Sequence, residues 1–253
     1  MLNFFFYILK CAKRDKLFLA ILICLIVAFV LSVFIGSTAA YETREMSIVY
    51  FSGIARIILV YGFAIFNAFF ITKMFQTKEI ETFLAGPVKR KDLVIALFLA
   101  NFLLIFGLAF FCAFLTKLIF FDIVPFSHAI IWALNVVAEV TLIACAASFF
   151  ALTISNAMLT ILITTIFYIT ARLMGFIVSA IELQFNAKSF MGVVETLIIP
   201  ISVFFPRLDL FSQSTWLIYA DAIPNLLIIL CQSLVYIPLI VTACIIDFNK
   251  KAL

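Results

Sequence analysis

Charged residues are scarce in this sequence. Only 12% of its 253 residues are charged, whereas 67% are hydrophobic. A water-soluble domain carries far more charge on its surface, so this composition indicates a polytopic membrane protein. The net charge of +4 is small, and the basic residues flank apolar runs instead of forming a soluble basic domain. The sequence therefore indicates no nucleic-acid partner.

Residue types that carry out catalysis or bind metals are also few. The single histidine, His128, falls at the boundary of an apolar run, where we expect a solvated side chain. Without further histidines or clustered carboxylates, the sequence predicts no metal site. It contains neither the G-x-x-x-x-G-K-[ST] motif for phosphate binding nor the G-x-S-x-G nucleophile motif. We therefore expect no enzymatic activity and no cofactor in this chain.

Long apolar runs dominate the rest of the sequence. Six of them reach the roughly 20 residues that cross a bilayer core of about 30 Å. Lipid offers the backbone no hydrogen-bond partners, so these runs must be helical. The predicted fold class is therefore all-α, with a single transmembrane domain over residues 1–253. The predicted spans are Leu17–Ile35, Ile48–Thr72, Leu93–Thr116, Ala129–Ile154, Ala157–Ile181 and Ala222–Ile246.

The lysines and arginines predict the orientation of the spans. Eleven of them lie in the first sixteen residues, in the segment after the second span and in the C-terminal tail. The remaining connecting segments carry four, namely Arg44, Lys117, Lys188 and Arg207. Loops rich in Lys and Arg stay in the cytoplasm. We therefore expect a multi-pass protein of the cell's inner (plasma) membrane with both termini in the cytoplasm.

Two segments outside the spans have a predicted structure of their own. Residues 1–16, MLNFFFYILKCAKRDK, are aromatic and then basic, which predicts an interfacial elbow helix leading into the first span. The long segment 182–221 separates the fifth and sixth spans on the extracytoplasmic side. We expect short helices there, lying on the outer leaflet or dipping into it.

The stretch QTKEIETFLAGPVKRKD, residues 76–92, is the longest polar interruption between two spans. Thr77 can cap the start of a helix, and Gly86 followed by Pro87 can end it. This predicts a short amphipathic helix over residues 77–86 that lies along the cytoplasmic membrane surface. Its apolar stripe, at spacings of three and four residues, lies opposite the polar side chains. The stripe consists of Ile80, Phe83 and Leu84, and the opposite side carries Lys78, Glu79 and Thr82.

Three charged residues fall inside predicted spans: Arg56, Glu139 and Arg172. Counted from the outer end of each span they lie about 8 to 10 residues deep, roughly 12–15 Å at the helical rise. Unpaired charges at that depth are costly, so the three are expected to meet. One interpretation is a buried clamp that fixes spans two, four and five together. The other is a substrate contact or a proton relay.

The order of these elements resembles that of the permease subunits of type-2 ATP-binding-cassette (ABC) exporters. The most specific match is Glu79–Arg90, EIETFLAGPVKR, which is similar to that family's acidic helix before the third span. The C-terminal DFNKK, residues 247–251, is similar to its basic tail. The resemblance implies export of a hydrophobic or amphiphilic substrate by a permease surrounded by membrane lipid. It also implies a homodimer or a second permease, because six spans are half of the usual exporter complement.

By the same resemblance, Lys78–Ala85 would be a coupling helix that docks on a separate ATPase subunit, where ATP and Mg would bind. The implied contact residues are Lys78, Glu79, Glu81, Thr82, Phe83 and Leu84. The alternative is an ordinary loop helix resting on lipid. Carboxylates that face water favour coupling, since a lipid-resting helix would favour Lys and Arg.

Three further interpretations remain open. A haem-exporter-like permease of cytochrome c maturation shares the layout. An ion-driven secondary transporter would use Arg56, Glu139 and Arg172, although the sequence has no inverted repeat of the kind such carriers commonly show. A non-transporting membrane scaffold would use the polar helix to bind another protein.

Overall fold

The computed structural model describes residues 2–39, 41–86, 89–120, 122–183, 205–218 and 226–250. Within these ranges the ordered elements are helices. Two short 3₁₀ helices, Leu208–Leu210 and Ser214–Leu217, precede the last long helix. The α-helices are α1 (Leu2–Arg14), α2 (Lys16–Thr38), α3 (Thr43–Gln76), α4 (Glu79–Leu84), α5 (Arg90–Ile119), α6 (Phe126–Ile154), α7 (Ala157–Leu183) and α8 (Leu226–Lys250).

Six of the described helices are long and apolar enough to cross a membrane: α2, α3, α5, α6, α7 and α8. Each of them overlaps one predicted span, and α6 and α7 meet at the two residues between Ile154 and Ala157, as predicted. Helix α3, with 34 residues, is the longest. At the helical rise it is about 51 Å long, well over the thickness of a hydrocarbon core. The prediction of an all-α fold is confirmed for the described residues, and the six apolar helices indicate a multi-pass membrane protein.

Helix α6 is the centre of the bundle. It contacts α3, α5, α7 and α8, and 78% of its apolar window is buried, compared with 17% for α8. Many of its buried positions are small, including Ala144, Ala147, Ser148 and Ala151. Small side chains let neighbouring backbones approach closely, which is how membrane helices pack without a hydrophobic driving force.

The same packing corrects the expectation for His128. Its side chain is buried, with 8% exposed, and is not solvated. Trp132, one turn further along α6, is fully buried. Residues four apart share one face of a helix, and this face of α6 is directed into the bundle.

The described part of the connection between α7 and α8, residues 205–218, enters the bundle. It contacts α7, α3 and α6, and Leu208, Phe211 and Leu217 are fully buried. The predicted segment 182–221 thus contains short helices that pack against the spans. Its other residues beyond the end of α7 lie outside the described ranges.

Candidate functional site

The polar helix between the second and third spans is shorter than its predicted range, 77–86. Helix α4 runs only over Glu79–Leu84. Thr77 does not cap it, because Thr77 is the residue that ends α3, where its hydroxyl donates a hydrogen bond to the Lys73 carbonyl at 2.9 Å. Lys78 instead occupies the cap position, with a left-handed φ of 56°. Lys78 is therefore the residue before the helix and not part of it.

The apolar side of α4 is covered by protein. Ile80 is buried, with 1% exposed, and Phe83 and Leu84 are half-buried. The Phe83 ring lies against two aromatic rings of α1, with centroid distances of 4.9 Å to Phe4 and 5.2 Å to Tyr7. The predicted apolar stripe is thus a contact between α4 and the N-terminal helix.

A hydrogen bond reinforces this contact. The Tyr7 hydroxyl donates to Glu79 Oε2 at 2.8 Å, across 72 residues of sequence. Burial raises the pKa of Tyr7, and its hydrogen bonds with Cys11 and Glu79 raise it further, so the hydroxyl keeps its proton at neutral pH and donates. Glu79 therefore binds α1, whereas the sequence analysis expected its carboxylate to face water.

Helix α1 in turn is fixed to the rest of the protein. Ile8 and Ala12 are fully buried, and α1 contacts α5 and α2. Helix α4 is consequently held from two sides. The chain connects it to α3 through residues 77–78, and its apolar side packs on α1.

The other side of α4 is open. Lys78, Glu81 and Thr82 are exposed, and within the part of the chain that the structure describes no ion pair engages Glu81. Of the six candidate coupling residues, Glu79, Phe83 and Leu84 face the protein. Lys78, Glu81 and Thr82 face away from it.

The intramembrane charges form one direct ion pair. Glu139 on α6 is fully buried, and its Oε1 lies 3.0 Å from Arg172 Nη1 on α7. The Tyr168 hydroxyl donates to the same oxygen at 3.2 Å. Tyr168 precedes Arg172 by four residues, so α7 presents both donors on one face. This ion pair joins the predicted fourth and fifth spans.

Arg56 has a different partner. Its Nη1 donates to the Ser212 carbonyl at 3.0 Å, and among the described residues no ion pair within 4.0 Å joins it to Glu139. Arg172 Nη1 also donates to a carbonyl of the 205–218 segment, that of Leu208, at 2.8 Å. The two arginines therefore donate to backbone carbonyls of the 205–218 segment inside the bundle, where backbone outside the long helices needs hydrogen-bond partners.

Sequence reasoning missed the residues of the 205–218 segment that complete this cluster. Gly175 on α7 is one turn beyond Arg172 and accommodates Asp209. A Cβ atom at Gly175 would overlap the Asp209 carboxylate, which itself pairs with Arg207 at 3.2 Å. The segment thus needs a residue without a side chain at this point of α7. Tyr168 was detectable from its four-residue spacing to Arg172, whereas Ser212 and Asp209 carry no such signal.

The Glu139 and Ser212 side chains interact with each other, whereas buried polar atoms of the cluster that have no hydrogen-bond partner among the described residues include Arg56 Nε and Asp209 Oδ1. Such atoms inside a bundle indicate either bound water or contact with a transported species. Across the described ranges, no three His, Cys, Asp or Glu side chains come together in a way that could hold a metal ion.

No protein-family model matches the chain, and no curated protein matches it. The functional argument accordingly depends on the geometry of α4 and of the intramembrane charges.

Proposed function

We propose that the protein is the permease subunit of an ABC exporter. It would move a hydrophobic or amphiphilic substrate across the inner membrane, with ATP and Mg bound by a separate ATPase subunit. Helices α1 and α4 would then lie on the cytoplasmic side, as would both termini. The observation that carries the proposal is the attachment of α4, which is fixed on its inner side and free on its outer side.

A helix that passes a partner's movement into the membrane must be stiff with respect to the spans. The buried Ile80, the Phe83 ring contacts and the Tyr7–Glu79 hydrogen bond supply that stiffness. Only residues 77–78 separate α4 from α3, the longest helix, so a displacement of α4 would be passed to α3 as a rigid-body movement. Arg56 on α3 contacts the 205–218 segment, which gives such a movement a route to the opposite end of the bundle.

The exposed side of α4 favours a protein partner over lipid. A helix that rests on lipid turns its apolar side to the acyl chains and its basic residues to the headgroups. The apolar side of α4 is already covered by α1, and Lys78, Glu81 and Thr82 remain for contact with another molecule. With one charge of each sign this surface has no net attraction for anionic lipid, whereas a protein groove can place a partner opposite each charge.

The exporter proposal includes a second membrane subunit. Six spans are half of the complement that the resemblance implies, so the working unit would be a homodimer or a pair with another permease. Large apolar side chains on α7, among them Met158, Leu162 and Ile166, are exposed in the single chain. They are available for contact with lipid or with a second membrane subunit.

Charge reversal on α4 tests the proposal. The tagged chain is expressed in its native cells, recovered in mild detergent and examined for a bound protein with a P-loop motif. We expect Glu81→Arg to lower recovery of that ATPase, and the ATP hydrolysis of the complex, by about tenfold or more, because an interfacial charge is replaced by its opposite. Glu42→Arg is the matched control, since Glu42 is exposed at the other end of α3. Recovery of the wild-type chain without an ATPase, or unchanged recovery with Glu81→Arg, would contradict the proposal.

An ion-driven secondary transporter is the second candidate, and the intramembrane charges Arg56 and Glu139, with the buried Arg56 Nε unpartnered among the described residues, favour it. The two candidates differ in their energy source. Proteoliposomes that contain only this chain would transport when an ion gradient is applied if the second candidate is right. They would be inactive without the ATPase and ATP if the exporter proposal is right. A haem-exporter-like permease belongs to the ATP-driven group and would differ only in its cargo.

A further inference from the structure

An open cleft of about 640 Å³ lies where α1, α2, α3 and α4 meet. We call it the basic cleft, because its charged lining consists of Lys10, Arg14, Lys16 and Lys73, with Asp15 and Glu79. Its volume falls within the range of small-molecule binding sites, roughly 300–1,000 Å³. The cleft lies at the end of the bundle that carries α4, and neither the exporter proposal nor its alternative uses it.

Both carboxylates of the basic cleft are engaged elsewhere. Asp15 accepts a hydrogen bond from the Leu17 amide at 2.9 Å and so caps α2. Glu79 accepts the hydrogen bond from Tyr7. Neither carboxylate, nor any other in the described ranges, forms an ion pair with a basic residue of the cleft. The lining therefore carries four positive and two negative charges, and its net charge is positive.

These cations are brought together by the fold at a local electrostatic cost. Lys10 and Arg14 are four residues apart on α1 and therefore neighbours on its surface, where like charges repel. Lys16 begins α2, and Lys73 lies in the last turn of α3. An anion bound between them would remove this repulsion, so the cleft is complementary to a negatively charged group.

A second cleft of about 550 Å³ adjoins the first and shares Asp15, Phe70 and Lys73 with it. Its lining combines apolar side chains, including Leu17, Phe69 and Met158, with polar ones, including Thr72, Gln76 and Asn156. A cationic space that adjoins a mixed polar and apolar one matches an amphiphilic molecule with a charged head and a hydrocarbon tail.

The position of the two clefts identifies the source of such a molecule. They lie at the first turn of α2 and the last turn of α3, two helices long enough to cross a membrane. The phosphate groups of a bilayer lie at the ends of its spanning helices, and basic pockets between such helices bind anionic headgroups. We propose that the basic cleft binds the phosphate headgroup of an anionic phospholipid, with the start of an acyl chain against Leu17, Phe69 and Met158 of the adjoining cleft.

This site would do more than anchor the protein. Tyr7 and Glu79 line the basic cleft, so a bound headgroup would lie next to the hydrogen bond that attaches α4 to α1. By neutralising the cations of α1, α2 and α3, the lipid would stabilise the packing of these three helices, to which α4 is attached. The lipid site does not depend on the exporter function, because any membrane protein with this cleft would bind the same headgroup.

The test uses the purified full-length chain and phosphatidylglycerol, with phosphatidylcholine as the zwitterionic reference. Bound lipid is counted by native mass spectrometry, and thermal stability is measured as each lipid is titrated. We expect the wild-type chain to retain phosphatidylglycerol in preference and to be stabilised by it. In Lys10→Ala/Lys73→Ala the apparent affinity should fall about 30-fold, since each lysine near an anionic headgroup contributes about fivefold.

The matched control is Lys13→Ala/Lys91→Ala. It removes two exposed lysines from α1 and α5 that do not line the basic cleft, so the affinity for phosphatidylglycerol should stay close to that of the wild type. Lys10→Arg/Lys73→Arg keeps both charges and should retain the lipid, which covers the case that the alanine variant does not fold.

Three results would overturn the proposal. Equal loss of affinity in the Lys13/Lys91 control would mean diffuse attraction to the whole basic surface. Equal retention of the two lipids by the wild-type chain would mean that the headgroup charge is not recognised. Stabilisation by inorganic phosphate or glycerol phosphate at the same concentration would assign the cleft to a soluble anion.

Discussion

Replacing Glu139 by glutamine tests the physical role of the intramembrane charges. The substitution removes the negative charge and keeps the size and one acceptor oxygen of the side chain. Arg172 then loses the counter-charge at 3.0 Å, and Arg56 loses its electrostatic attraction to the Glu139 carboxylate. If the cluster is a structural clamp, two arginines that lie inside the bundle become uncompensated.

The magnitude follows from the burial of the pair. Glu139 is fully buried, and the Arg172 side chain is 23% exposed. Removing one partner of a buried ion pair costs about 3–5 kcal/mol. The lower end applies here, because glutamine still accepts from Tyr168 and Arg172 keeps the Leu208 carbonyl. We expect a loss of about 3 kcal/mol, which for a chain of this size lowers the midpoint of thermal unfolding by about 6–12 °C.

The assay is thermal unfolding of the purified chain in one detergent, followed by the fraction that remains monodisperse after heating. Glu45→Gln is the matched control, because Glu45 is half-exposed and forms no ion pair within the described ranges. Its midpoint should stay within about 2 °C of the wild type, as is usual for surface substitutions. A double variant, Glu139→Leu/Arg172→Met, should recover part of the loss, since an apolar pair of similar volume carries no desolvation cost, whereas Arg56 stays uncompensated and the Tyr168 hydroxyl loses its acceptor.

Two results would refute this reasoning. If Glu139→Gln unfolds at the wild-type temperature, the ion pair does not stabilise the fold. If it also abolishes transport, the cluster is a functional site, as the alternative interpretation of these charges holds. If the double variant is less stable than Glu139→Gln alone, the loss does not come from an uncompensated arginine.

Two further substitutions test the packing between helices by the same thermal assay. Gly175→Ala should destabilise the fold by about 1–3 kcal/mol, because its Cβ would displace Asp209. Gly107→Ala is the control and should not destabilise the fold, because no atom lies within 4 Å of the added Cβ. Equal midpoints for the two variants would mean that the 205–218 segment moves away at no cost. Asn101→Leu removes the donor to Asn67 Oδ1 at 2.7 Å and should cost about 1 kcal/mol, whereas the double variant with Asn67→Leu should be close to neutral. If the double variant loses as much stability as Asn101→Leu, the loss does not come from leaving the Asn67 amide unpaired.

The spans illustrate what can be predicted from sequence. The predicted end of the fourth span at Ile154 and the start of the fifth at Ala157 coincide with α6 and α7. Hydrophobic length is a property of consecutive residues, and the thickness of a bilayer converts it directly into helix length. The apolar stripe of α4 was predictable for the same reason, since the spacing of Ile80, Phe83 and Leu84 is local.

The failures have a different origin. Thr77 has the right chemistry for an N-cap, but α3 continues to Gln76, so Thr77 ends α3 and Lys78 takes the cap position of α4. His128 has the right position for an interfacial residue, but the rotation of α6 directs it inward. In both cases the local pattern permits two outcomes, and the energy of packing selects one.

The sequence by itself therefore determined the number of spans, their approximate ends, the short helix between the second and third, and the need for Glu139 to have a positive partner. Only the tertiary structure decided that α1 covers α4, that Arg56 binds the Ser212 carbonyl 156 residues away, and that four cations share one cleft. The physical reason is that periodicity and hydrophobic length are carried by neighbouring residues. The partner of a charge or an apolar stripe depends instead on how each helix is rotated and which distant segment packs against it.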